Sequence, residues 1–386
     1  MYGGEGLRDK GWFKGLNIFF SVLGIMAFLG VAALLIANAS GVGTFLSVAG
    51  LVKTQSLYEF DSNKALEGAT AGIVDVLDDP YSKYLNNKEW ADLKSKLEAE
   101  FGGIGIYIVQ DKEKKLRVVA PIKGTPAERA GLEQGDIIIS VNGESTAAMS
   151  QDDAVHLMRG DPGTQVILGI YRESESREIE FKIVREIINV PSVEDKVLEQ
   201  DPRIGYISLN QFHARSAREM TQSVNRLAEK NVKGLILDLR DNGGGDFEAS
   251  IAIAGIFLDN KVVVSVADAR GNKTVDRSSK GSIKIPLVVL VNNNSASASE
   301  ILAGALRDNK RAVLVGEQTY GKGVVQTIYP LRNGGALKLT TQEYFTPNGT
   351  DINKIGIHPD YVVQNKAGED KDAQLEKAIT VLQGRF

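Results

Sequence analysis

Residues 285–327 read IPLVVLVNNNSASASEILAGALRDNKRAVLVGEQTYGKGVVQT, and the fold turns on this stretch. Pro286 to Val291 is a short apolar run of the kind that makes a strand buried on both faces. Three asparagines and a turn of small residues follow, then an amphipathic segment from Ser297 to Asn309. The order is strand, tight turn, helix. Ser297 stands where the helix starts, at the positive end of its dipole and beside unpaired backbone N–H groups. A second strand over Ala312 to Val315 leads into a glycine-rich turn that carries Lys322. One helix and one return strand separate Ser297 from Lys322, so the two side chains can meet at one edge of a sheet. Two plainer readings stand beside this one. Ser297-x-x-Glu300 fits a capping box, which needs no chemistry, and lysines mostly face solvent. A third reading, a phosphate loop, fails on two counts. Gly323 follows Gly316-x4-Gly321-Lys322 where a magnesium-binding hydroxyl is needed, and VVQTIYP reads as a strand where a helix is needed.

NSASASEILAGAL and GEQTYGKGVVQ resemble the signature of the carboxyl-terminal processing peptidases, or tail-specific proteases. The resemblance extends over most of the chain after about Leu57. It implies a serine endopeptidase with Ser297 as nucleophile, Lys322 as base and Gln326 orienting the base. It also implies an oxyanion hole from the N–H groups of Gly244 and Ala298. The RDNGGGDF turn departs from the more usual N-N-P-G-G at Asp241-Asn242-Gly243, which leaves the first donor open by a residue. The chemistry sets a condition. Lys322 must be neutral to take the serine proton, so its pKa must fall from ~10.4 toward ~7–8 by desolvation. Gln326 can hold the amine without adding a charge that would favour the ammonium. Glu300 reads as a helix cap.

Upstream, FGGIGIYI opens an alternating β pattern, and KGTPAERAGLEQGDIIISVNGEST follows. Pro126 begins a short helix, Gly131 ends it, and IIISV is a strand closed by the Asn142-Gly143 turn. Asp152 to Met158 reads as a helix, and Val166 to Tyr171 with Glu178 to Val184 as a hairpin. This order resembles a PDZ domain with the bacterial protease arrangement of strands. The resemblance implies that a substrate C-terminus adds as a strand at Gly103, Ile104, Gly105 and Ile106, its carboxylate entering a nest of N–H groups. Ile104 and Ile106 imply apolar C-terminal side chains. His156 falls in the helix beside that groove and reads as a surface or semi-buried residue.

The remaining chain is read as domains. Residues 1–40 are a cytoplasmic stub and transmembrane anchor, 41–100 a linker and helices, 101–186 the PDZ domain, and 187–386 a Ser/Lys protease core. The fold class is thus an α/β (α+β) protease core with an inserted PDZ domain and an N-terminal transmembrane helix. Gly15 to Ala37 carries no charge and as a helix covers roughly 34 Å, enough to cross a bilayer. Arg8, Lys10 and Lys14 precede it and no charge follows until Lys53, which places the N-terminus in the cytoplasm and the bulk outside. Ala37-Asn38-Ala39 leaves a cleaved signal peptide as the alternative. Ala39 to Gly50 reads as a linker, Leu57 to Leu77 and Trp90 to Phe101 as helices that pack on the core or form a homodimer contact. A net charge of −4 gives no basic field for nucleic acid. No cysteine and three scattered histidines exclude a thiol nucleophile and leave no metal or cofactor site. His213 and His358 lie in no pattern that supports a histidine base. The partners expected are protein or peptide substrates with apolar tails and a membrane. The competing function is an inactive PDZ scaffold that binds C-termini without cutting.

Overall fold

The computed structural model describes residues 9–37, 39–366 and 371–386; Arg8 and Asn38 lie outside them. The chain divides into two units, residues 1–73 and 74–386.

The first unit is helical, with helices Asp9–Ala37 and Ala39–Gln55 and most of Ser62–Asp75. The apolar span Gly15–Ala32 is long enough to cross a membrane. The expected linker over Ala39 to Gly50 is instead helix. Its glycines conceal Val42, Phe45, Leu46, Ala49 and Val52 at helical spacing, with no proline to interrupt the hydrogen bonds. Leu57 to Asp61 is not helical, and the face carrying Leu66 and Ile73 is exposed.

In the second unit, helix Asn87–Glu98 ends one turn earlier than expected, because Phe101 belongs to strand Glu100–Gly103. That strand pairs antiparallel with Glu186–Asn189, and the two form a ribbon at either end of a five-strand antiparallel path. The path runs Ile106–Gln110, Leu116–Pro121, Ile137–Val141, Gln165–Arg172 and Arg177–Val184. Helices Pro126–Ala130 and Gln151–Met158 close it over a core that includes Leu116, Ile138, Val141, Leu168 and Ile170. Ile106–Gln110 pairs with one neighbour only and leaves an open edge.

The larger part is built on a six-stranded sheet in the order Val193–Leu198, Asp201–Leu209, Gly234–Asp238, Leu287–Val291, Val313–Gly316, Tyr361–Val362. All but the first pairing are parallel. The central strands are apolar on both faces because both are covered. Leu235, Leu237, Leu287, Val289 and Val291 face helices Ser216–Glu229, Phe247–Phe257 and Ala298–Asp308. Ile236, Val288 and Leu290 face helix Ala373–Gln383 through Ala378 and Leu382. A second, antiparallel sheet joins Lys83–Leu85, Val262–Asp268, Lys273–Arg277, Val324–Pro330 and Ala336–Phe345.

Candidate active site

Two adjacent parallel strands, Gly234–Asp238 and Leu287–Val291, end side by side, and each passes through a turn into a helix. Crevices of open α/β sheets lie at such strand ends. The two turns are laced together. Ala296 N–H and Ser299 Oγ both donate to the Asn242 carbonyl, at 3.1 and 2.8 Å, and Ser295 Oγ donates to the Leu239 carbonyl at 2.7 Å. Asn242, fully buried, donates through Nδ2 to the Leu209 carbonyl at 2.6 Å. Gly244, at φ +99°, packs so close that a Cβ there would meet Ser297 Cβ at 2.9 Å and the Ala296 carbonyl oxygen at 2.8 Å, so only glycine fits.

Ser297 sits at the head of helix Ala298–Asp308 with φ 57° and ψ −116°, a strained conformation for a non-glycine residue. Its hydroxyl makes no side-chain cap bond, while its N–H donates to Glu300 Oε2 at 2.9 Å. The simple capping role expected of Glu300 is therefore only part of what it does. The carboxylate is fully buried, and it also accepts from Thr319 Oγ1 (2.5 Å), Gly321 N–H (2.8 Å) and Lys322 N–H (2.9 Å). One acid ties the Ser297 turn to the Lys322 turn. The N–H groups that a phosphate loop would offer an anion are already filled by it.

Ser297, Ala298, Lys322 and Gln326 line one cavity of about 340 Å³, together with Gly243, Gly245, Lys338 and an apolar wall that includes Leu93, Leu97 and Ile301. The Lys322 amine stands over the Tyr81 ring, 4.9 Å from its centroid. Burial pulls its pKa below the ordinary lysine range and the Lys338 charge adds to this, while Asp79 and Glu300 act in the other direction. Gln326 Nε2 lies 3.4 Å from the Val324 carbonyl and from Thr340 Oγ1. Tyr344 donates its hydroxyl to the Ser297 carbonyl at 3.1 Å. The Gly244 N–H donates to Asn242 Oδ1 at 2.9 Å, and Gly243 and Gly245 are the turn residues on the cavity wall.

His213 and His358 are not on this wall. His213 is buried, takes the Arg215 N–H on Nδ1 at 3.2 Å, and is held toward its neutral form by burial. His358 is exposed. Sequence reasoning missed Tyr81, Lys338, Leu93, Leu97 and Tyr344, which come from segments far apart in the chain.

A second cavity, of about 260 Å³, is lined by Gly103, Ile104, Gly105 and Ile106 and by Val155 and Met158 of helix Gln151–Met158. The carbonyls of Ile104 and Gly105 are held by Ala127 N–H and by Ile122 N–H with Thr125 Oγ1. That fixes the loop with the open strand edge beside it. His156 is exposed and outside the cavity.

Residues 203–363 match the family model described as Peptidase family S41, and residues 117–172 match a PDZ domain. The chain is 39% identical to a carboxy-terminal-processing protease of Bartonella bacilliformis, over 82% of this chain and 74% of that one. It belongs to peptidase family S41. It is also 36% identical to a carboxyl-terminal-processing protease of Synechocystis, over 80% and 75% of the two chains. Among solved structures, it resembles a photosystem II D1 C-terminal processing protease with a TM-score of 0.51 at 32% identity, covering 88% and 90% of the two chains. This S41 chain is thus a serine-type peptidase of the C-terminal processing group, acting on protein or peptide substrates and carrying a PDZ domain.

Proposed function

We propose that this S41 peptidase is an exported, membrane-tethered endopeptidase that captures protein C-termini in its PDZ groove and cuts with Ser297 and Lys322. The observation that carries the reading is a strained helix-head serine and a half-buried lysine lining one cavity, with no ion pair to the lysine among the described residues. Neutral Lys322 takes the Ser297 proton as the oxygen attacks the scissile carbonyl. An acyl-enzyme forms, the protonated amine returns its proton to the leaving nitrogen, and water then releases the acyl group. Gln326 steers the amine from the Tyr81 ring toward Ser297. The N–H of Ala298, at the helix head, is one oxyanion donor. Gly244 is the other, and the developing negative oxygen competes with Asn242 Oδ1 for its N–H.

Gly103, Ile104, Gly105 and Ile106 receive the tail, and the open edge of Ile106–Gln110 adds it as a strand. The domain boundaries follow from these roles: an anchor over 1–40, a linking region over 41–100, the PDZ domain over 101–186 and the catalytic core over 187–386. The exposed apolar side chains from Leu16 to Val31 support a span, and alkaline washing that freed the chain from membranes would argue against it.

The test of the chemistry pairs binding with cutting. Ser297→Ala abolishes cleavage of a C-terminally tagged peptide and keeps its binding. Lys322→Ala abolishes labelling of Ser297 by a fluorophosphonate probe. A wild-type protein as inert as the Ser297→Ala variant would leave only a tail-binding scaffold.

A further inference from the structure

The Ser297 cavity holds two amines. Lys338, on strand Ala336–Phe345, shares the wall with Lys322, and both are half-buried. Among the described residues neither amine forms an ion pair, and the acids around them are committed elsewhere. Asp79 accepts from Tyr81 N–H at 3.1 Å and from Ser82 Oγ at 2.5 Å. Asp246 caps helix Phe247–Phe257 by accepting from Ala249 N–H at 2.6 Å. Glu300 is spent on its four donors. Lys83 stands directly across the strand pair from Lys338 and turns its own charge to Glu89 at 2.7 Å. Tyr81 and Tyr344 add uncharged phenols whose pKa values burial raises.

We propose that Lys338 is a positioning residue for the proteolytic step, its charge in the shared cavity favouring the neutral amine of Lys322. The inference rests on Lys322 being the base. Two like charges in one partly dry cavity repel, and the dry wall weakens the screening that water would give. One of the two gives up its proton more readily, and Lys322, as the base, is that one. Burial lowers the Lys338 pKa as well, with Asp79 opposing and Lys83 adding to it; Lys338 stands across the strand pair from Lys83, while the Lys322 amine lies over the Tyr81 ring. The direction of the Lys322 shift agrees, with Lys338 second only to burial among its causes. The same charge has a second consequence. When Lys322 takes the serine proton, the resulting ammonium is again opposed by Lys338, so return of that proton to the leaving nitrogen is favoured.

The test uses the full chain and reads both kcat/KM for a tagged peptide and the rate of fluorophosphonate labelling, from pH 5.5 to 10. Both rise with pH as the free-enzyme base loses its proton. Lys338→Met moves the midpoint up by roughly one pH unit, so both rates at pH 7 fall up to roughly tenfold and recover at high pH. Lys338→Arg keeps the wild-type midpoint, and Lys338→Glu moves it further up than Met does. Should the Met variant fail to fold, Lys338→Gln carries the same comparison. A midpoint that stays in place, or a loss equal at every pH, overturns the inference, the second outcome marking Lys338 as a packing or substrate contact. Lys322→Ala separates the two readings. If it labels like wild type, the base assignment has failed. If it is silent while the Lys338→Met midpoint stays put, only the role of Lys338 has failed.

Discussion

Glu300 shows how much one buried side chain organises. Its two oxygens take three backbone N–H groups and one hydroxyl, from Ser297, Thr319, Gly321 and Lys322. A buried carboxylate is tolerable only when so fully bonded, and its loss leaves four donors without partners. Glu300→Ala is therefore expected to lower stability by at least about 3 kcal/mol. Glu300→Gln keeps the shape but aims an NH2 at two donors, and is expected to cost about 2 kcal/mol. Urea unfolding measures both. Because the acid holds the serine turn against the lysine turn, kcat for the Gln variant falls by on the order of 10²-fold with little change in KM. A Gln variant with wild-type kcat would show that the two turns keep their register without it. The sequence displays Ser297-x-x-Glu300 as a capping box, and its Glu300 half forms, taking the Ser297 N–H. Its longer reach was not legible, because nothing in local spacing shows that Thr319 and Gly321 return to that carboxylate.

Elements were far more legible than contacts. The strand before Ser297, the helix after it and the strand after Lys322 fall within a residue or two of their expected bounds, and for Leu287–Val291 the reason is that burial on both faces writes an unbroken apolar run. The helix Ala39–Gln55 was hidden by glycines that lower propensity without breaking the hydrogen-bond ladder. The glycine loop before Ile106–Gln110 was legible because its glycines do a job. Gly105 has φ +79°, and a Cβ there would meet the Thr125 side chain at 2.5 Å. Gly105→Ala thus strains the loop, since the left-handed region costs an L residue about 1–2 kcal/mol, and pushes it off Thr125. The expected outcome is loss of tail-peptide binding by fluorescence anisotropy, with fluorophosphonate labelling of Ser297 unchanged. Retained binding would place the tail carboxylate elsewhere.

At the scale of the molecule, the PDZ sheet and the Ser297 cavity share a support that no single stretch of sequence reveals. Helix Asn87–Glu98 puts Leu93 and Leu97 on the cavity wall and runs, through a left-handed Ala99, straight into the ribbon strand Glu100–Gly103. Arg215, at the head of helix Ser216–Glu229, grips that junction. Its guanidinium donates to the carbonyls of Glu98 (2.9 Å) and Ala99 (3.1 Å) and pairs with Glu100 at 2.6 Å. The side chain is mostly buried, so these are bonds of an ion shielded from water and worth more than a surface pair. A tilt of the PDZ sheet would then pull on the helix that carries Leu93 and Leu97, with Arg215 resisting it. If an occupied tail groove shifts such an equilibrium, loosening the grip changes the balance without touching either site. Arg215→Ala is accordingly expected to change turnover of a short untagged peptide severalfold and to shrink the stimulation that an added tail peptide gives. Tail affinity in the Ser297→Ala background changes by the reciprocal coupling alone. Hydrogen exchange checks the cause, with faster exchange expected in Glu100–Gly103 and Glu186–Asn189 and little change in the Gly234–Asp238 strand. If exchange rises in the ribbon while turnover and stimulation stay at wild-type values, the ribbon is a passive tether and the cavity wall does not feel the PDZ domain.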